Sequence, residues 1–98
     1  MQPLDGLRVV ELCEGIAGPW AGRLLAGYGA DVIKVEPPNG DRCRALGPFP
    51  SDDPNPETGA LHLHLNTGKR AVVGAVGDDL VDRLIAGADI VLQSRAVI

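Results

Sequence analysis

At 98 residues and 10.2 kDa, the chain has room for one small domain, which buries roughly 60–65% of the surface its unfolded form exposes. It carries 9 basic against 13 acidic residues, a net charge of −4, and no basic stripe interleaved with aromatics, so a nucleic-acid partner is not expected. Hydrophobic residues make up 45% of it, yet no apolar run approaches the roughly 20 residues of a membrane span. The start, "MQPLDG", has neither the basic leader nor the apolar region of a signal peptide, so a cytoplasmic location without a membrane partner is the expectation.

In chain order, "LRVVEL" (Leu7 to Leu12) reads as a short buried strand. "GPWAGRLLAGYG" follows as a helix with Gly18 at the cap and Pro19 at the first helical position. Trp20, Leu24, Leu25 and Tyr28 form its apolar stripe, and Gly27 with Gly29 supplies the stop. "DVIKVE" is a second strand, and the short connection predicts a right-handed βαβ unit with parallel strands. Between Glu36 and Gly59 lie six prolines (Pro37, Pro38, Pro48, Pro50, Pro54, Pro56), so 37–59 reads as a structureless Pro-rich loop. "TGALHLHLN" fits either a short helix or an extended run. "AVVGAV" (Ala71 to Val76) is a third strand, "DDLVDRLIAG" a helix with acids in its first turn, and "ADIVLQ" a fourth strand that is apolar on both faces. The order β-α-β-loop-β-α-β specifies an α/β fold, a Rossmann-like parallel sheet with flanking helices. Such a sheet needs cover on both faces. The chain reaches Ile98 without a further helix, so the expectation is an incomplete N-terminal domain spanning 1–98 that associates through its apolar edge.

The chemistry-bearing residues are sparse. Cys13, Cys43, His62 and His64 lack the spacing of a metal site, and none is expected. A Cys13–His dyad stays open beside the commoner reading of an inert buried thiol. The turn "CEGIAGPWAG" has glycines at 15, 18 and 22 in place of G-x-G-x-x-G, and Pro19 lacks an N–H that an anion would use, so NAD is not expected. Periodicity alone then makes Glu36 a strand end in solvent. Glu11, Glu14 and Glu36 lie near strand ends, with nothing in the sequence pairing them as acid and base.

"AGP" after the first strand, "GADVIKVEPPNGDRCR" and "LNTGKR" together resemble the N-terminal region of the family III CoA transferases, a family that includes formyl-CoA and carnitine CoA-transferases and α-methylacyl-CoA racemases. The likeness runs in register over essentially the whole chain. It implies a coenzyme A or acyl-CoA thioester as substrate, in acyl-CoA metabolism, and transfer of CoA between carboxylic acids through an enzyme-bound acyl intermediate. A racemase of the same family and a non-catalytic CoA-binding or interaction module are the alternatives. It also implies that Ile16 and Ala17 after the first strand, Gly74, Ala75, Val76 and Gly77 after the third, and Ser94 and Arg95 after the fourth line the CoA. Small residues at 74, 75 and 77 would let a ligand approach the main chain. Lys69 and Arg70 match the family's "KR", facing phosphates or solvent. Where many relatives carry an Arg after the strand-two acid this chain has Pro37, so a cationic contact falls to Arg42, Arg44 or a residue elsewhere. The Pro-Gly turn that usually follows strand four is replaced by "QSRAVI". The family's catalytic Asp and second domain lie beyond residue 98. The resemblance therefore implies no catalytic residue within the chain, inactivity of the chain alone, and a homo-oligomer or the remainder of a longer protein as partner.

Overall fold

The computed structural model describes residues 1–94. In chain order it forms β1 (Arg8–Leu12), α1 (Ala17–Gly27), β2 (Asp31–Glu36), α2 (Ala60–Leu65), β3 (Arg70–Val73), α3 (Asp79–Ala86) and β4 (Ile90–Gln93). The four strands make one parallel sheet in the order β3-β2-β1-β4. The Rossmann-like α/β expectation holds, and "TGALHLHLN" resolves as the helix α2. β3 ends three residues earlier than expected: Gly74 leaves the sheet, and Asp78 accepts from Ala75 N–H at 2.8 Å to set up the turn into α3.

Alternation along the central strands builds two cores. Val9 and Val32, with Ala30, face one side and pack with Leu25 and Ala26 of α1. Val10 and Val35 face the other and pack with Val81, Leu84 and Ile85 of α3. Each fully buried valine contributes about 1.5–3 kcal/mol of transfer free energy. β1 and β2 thus have both a strand on each side and a helix on each face.

The stripe expected to bury α1 does so only at Leu25. Trp20, Leu24 and Tyr28 are 40%, 42% and 57% exposed, whereas Pro19 and Gly22 are the helix's buried residues. The reason is clearance: a Cβ on Gly22 would collide with the Glu11 carboxylate beneath it, so the helix lies down on glycine there and turns Trp20, Leu24 and Tyr28 outward. The helix also starts earlier than expected, at Ala17 after Ile16, which makes Pro19 its third residue. Proline is tolerated there because the first four N–H groups of a helix have no intrahelical acceptor. The first such bond runs from Trp20 N–H to Ile16 C=O at 2.8 Å.

The Pro-rich segment is not structureless. It holds two short 3-10 turns, Arg42–Ala45 and Pro50–Asp52, and folds against the carboxyl end of the sheet. Asp41 caps the first turn by accepting from Cys43 N–H at 2.8 Å.

Candidate functional site

A line of alternating charges runs beneath the carboxyl end of the sheet. Glu11 and Lys34 are register partners on β1 and β2. Lys34 Nζ lies 2.9 Å from Glu11 Oε2, 2.8 Å from Asp41 Oδ2 and 2.9 Å from the Cys13 carbonyl. Lys69 Nζ meets the other oxygen of Glu11 at 2.6 Å, and also donates to the Pro19 carbonyl and to Asn66. All four side chains are at most 2% exposed. Charges this deep survive only when paired and hydrogen-bonded.

The local fields follow. Burial alone would push the Lys34 ammonium down, but hydrogen bonds to Asp41 and Glu11 outweigh it and hold its pKa above the ordinary value. Lys69 has one carboxylate rather than two, and burial wins, leaving its pKa lowered. For Asp41, burial is outweighed by Lys34 and by the Cys43 and Gly15 N–H groups, which together hold the carboxyl below its usual range.

This network overturns one expectation. Glu11 is held by two lysines and pairs with neither Glu14 nor Glu36. Lys69 faces neither phosphate nor solvent, while its neighbour Arg70 lies exposed on β3 and pairs with Asp31 at 2.6 Å. The clue in the sequence was a lone Glu and a lone Lys, each interrupting an apolar strand, at positions that become opposite only once the register is known.

Glu36 overturns a second. It is 5% exposed, not in solvent. Arg44 grips it in a two-pronged pair at 2.7 and 2.8 Å, and Asp41 N–H adds a third bond at 2.9 Å. The Arg44 hydrogen bond, against burial, lowers the Glu36 pKa. Arg44 is thus held as the clamp that folds the loop back onto β2.

Above the network, a cavity of about 270 Å³ opens just past the carboxyl ends of all four strands. Leu12, Cys13 and Glu14 line it from β1, Val35 and Pro37 from β2, Gly74 to Val76 from β3 and Ser94 from β4, with Arg42 entering from the loop. The chain steps from β1 to β2 to β3 on one side and returns with β4 on the other. Ligands of open α/β sheets bind outside the carboxyl ends of the strands at such a reversal. The Ser94 hydroxyl accepts from Glu14 N–H at 3.3 Å and so ties the ends of β1 and β4 together.

Of the expected lining residues, Gly74, Ala75, Val76 and Ser94 meet at this cavity. Ile16 and Ala17 sit at the start of α1, both exposed, outside its lining, as does Gly77. Arg95 lies outside the described residues. Gly74 is also constrained by packing: a Cβ there would come within 2.9 Å of Val81 and 3.1 Å of Asp78, so its small size lets α3 close on the sheet. Cys13 is buried, with its thiol pushed up by burial and then by Glu11, and the side chain beside it is Ser94. His62 faces Asn66 instead, and its pKa is lowered by burial and by Arg44. Among the described residues, no group of three or more His, Cys, Asp or Glu is placed to hold a metal.

The model of the family described as CoA-transferase family III matches residues 4–97. The chain belongs to CoA-transferase family III. A succinate–glutarate CoA-transferase of Agrobacterium fabrum is 46% identical over 94% of this chain and 25% of its own length. A succinyl-CoA:mesaconate CoA-transferase of Haloarcula hispanica is 41% identical over 96% of this chain and 25% of its own. The crystal structure of a CAIB/BAIF family protein from Brucella suis superposes with a TM-score of 0.80 at 42% identity, covering 94% of this chain and 25% of that one. The chain therefore spans about a quarter of the length of the family III relatives it matches. No helix among the described residues is long and apolar enough to cross a membrane.

Proposed function

We propose that this chain forms the CoA-binding part of a CoA transferase that moves CoA between carboxylic acids through an enzyme-bound acyl intermediate. The observation that carries the reading is the cavity at the carboxyl ends of the strands, in a chain of this family, with Gly74 to Val76 in its lining. Several relatives are named for succinyl or other dicarboxylic acyl groups, which makes a carboxylic acid the acceptor class.

The residues here hold and orient; none is assigned a chemical step. Glu14 and Ser94 fix the rim, Val35 and Pro37 form an apolar wall, and the buried charges keep the strand ends in register beneath it. Edge strands β3 and β4 and the outward stripe of α1 are surfaces for another polypeptide, a second copy or the rest of a longer chain. Val73 and Val91, on those edges, are 66% and 40% exposed.

Titration of the labelled chain with free CoA, followed by amide shifts, is the test. The expected dissociation constant is about 0.1–1 mM, since so open a site makes few polar contacts. Shifts should centre on residues 12–14, 74–76 and 94. Shifts confined to the Pro-rich loop, or tighter binding of NAD, would overturn the reading.

A further inference from the structure

Two arginines stand in the loop that follows β2, and the structure separates their roles. Arg44 is spent: its guanidinium is committed to Glu36 and to the Pro56 carbonyl. Arg42 has no ion-pair or hydrogen-bond partner for its guanidinium among the described residues. Its backbone, by contrast, is pinned. Arg42 N–H donates to Glu14 Oε1 at 3.3 Å while Gly15 N–H donates to Asp41 Oδ1 at 3.1 Å, two reciprocal bonds that stitch the turn after β1 to this loop.

The guanidinium then lies across that turn. Gly15 has φ +86°, and a Cβ there would come 2.8 Å from Arg42 Nη2 and 3.3 Å from Nε. Glycine is thus required both by the backbone and by the cation resting on it. Arg42 lines the 270 Å³ cavity on one side and a second cavity of about 460 Å³ on the other. A planar cation with its donors unspent, on the rim of a cavity at a topological switch point, suits a phosphate oxygen pair.

We infer that Arg42 is the phosphate anchor of this site, holding a phosphate of the nucleotide end of CoA across the Gly15 turn. This rests on the CoA-binding reading above. Glu14, which lines both cavities, is a nearby carboxylate that opposes the anion and sets an upper limit on affinity.

Binding to the full 98-residue chain is compared for CoA, dephospho-CoA and pantetheine, with Arg42→Gln, Arg42→Lys and Glu14→Gln variants whose amide spectra establish folding. Arg42→Gln should weaken CoA about three- to tenfold and leave pantetheine, which has no phosphate, unchanged. Arg42→Lys should recover part of the loss, and Glu14→Gln should tighten CoA slightly. A loss that persists with dephospho-CoA assigns the contact to the diphosphate, and one that vanishes assigns it to the 3′-phosphate. Binding of CoA indifferent to Arg42→Gln, or an equal loss with pantetheine, overturns this inference while the functional reading stands. Failure of the unsubstituted chain to bind CoA at all overturns both.

Discussion

The β1–α1–β2 half and the β3–α3–β4 half use the same kind of segment and end up differently buried. Through Cys43 the chain buries Val9, Val10, Ala30, Val32 and Val35 together with Glu11, Lys34, Glu36 and Asp41. Beyond Leu65, Val81 is the only buried residue among those described. "RVVEL" carries two charged residues and "IVLQ" none, yet the first lies between two strands and the second at an edge. Burial here is conferred by position in the sheet more than by residue type, and the central position is strong enough to hold charges as well as valines.

The largest test sets a central charge against a peripheral one. Lys34→Met strands Glu11 and Asp41 without their shared cation and should cost about 3–5 kcal/mol, a large share of the 5–15 kcal/mol typical of a domain. Arg70→Ala removes an exposed pair on β3 and should cost less than about 1 kcal/mol. Urea midpoints measure both, and comparable losses would erase the distinction.

A milder version uses one residue type in two places. Val32→Ala opens space in the core under α1 and should cost about 2 kcal/mol. Val91→Ala on β4 should fall within about 0.5 kcal/mol of the unsubstituted chain.

Acid should act on the same half. Asp41 and Glu36 have folded pKa values below their ordinary ones, so each adds stability above about pH 4 that is lost as pH falls toward the folded value. His62, also lowered, acts in the same direction from about pH 6.5 downward, because the unfolded chain takes up its proton first. Lys34 is raised, so its contribution holds to about pH 10 and fades as pH climbs through the folded value. Thermal melts across pH should therefore show an acid limb that Asp41→Asn flattens.

The smallest effect concerns association. With Val91 40% exposed on an edge strand, light scattering at micromolar concentration should detect self-association that Val91→Lys reduces. Identical, monomeric behaviour of both chains would show that the edge needs no partner.

Much of this molecule was legible in one dimension. Apolar runs of strand length, separated by two helices and by turn residues, determine a parallel α/β sheet because only that arrangement covers both faces of such strands. The motifs around Glu36 and Lys69 carried the family. The sequence could not say which charges would be buried. Glu11 and Lys34 lie 23 residues apart in sequence and meet only because β1 and β2 pair in a register that sets them side by side. α1 keeps Leu25 inward but turns Trp20, Leu24 and Tyr28 out, because the Glu11 carboxylate admits glycine and nothing larger. Arg42 and Arg44 are two residues apart and indistinguishable by type, and the loop's fold commits one to Glu36 and leaves the other over Gly15. Local pattern determines which elements form; which side chains share a space is decided by tertiary packing, since that depends on distances between residues far apart along the chain.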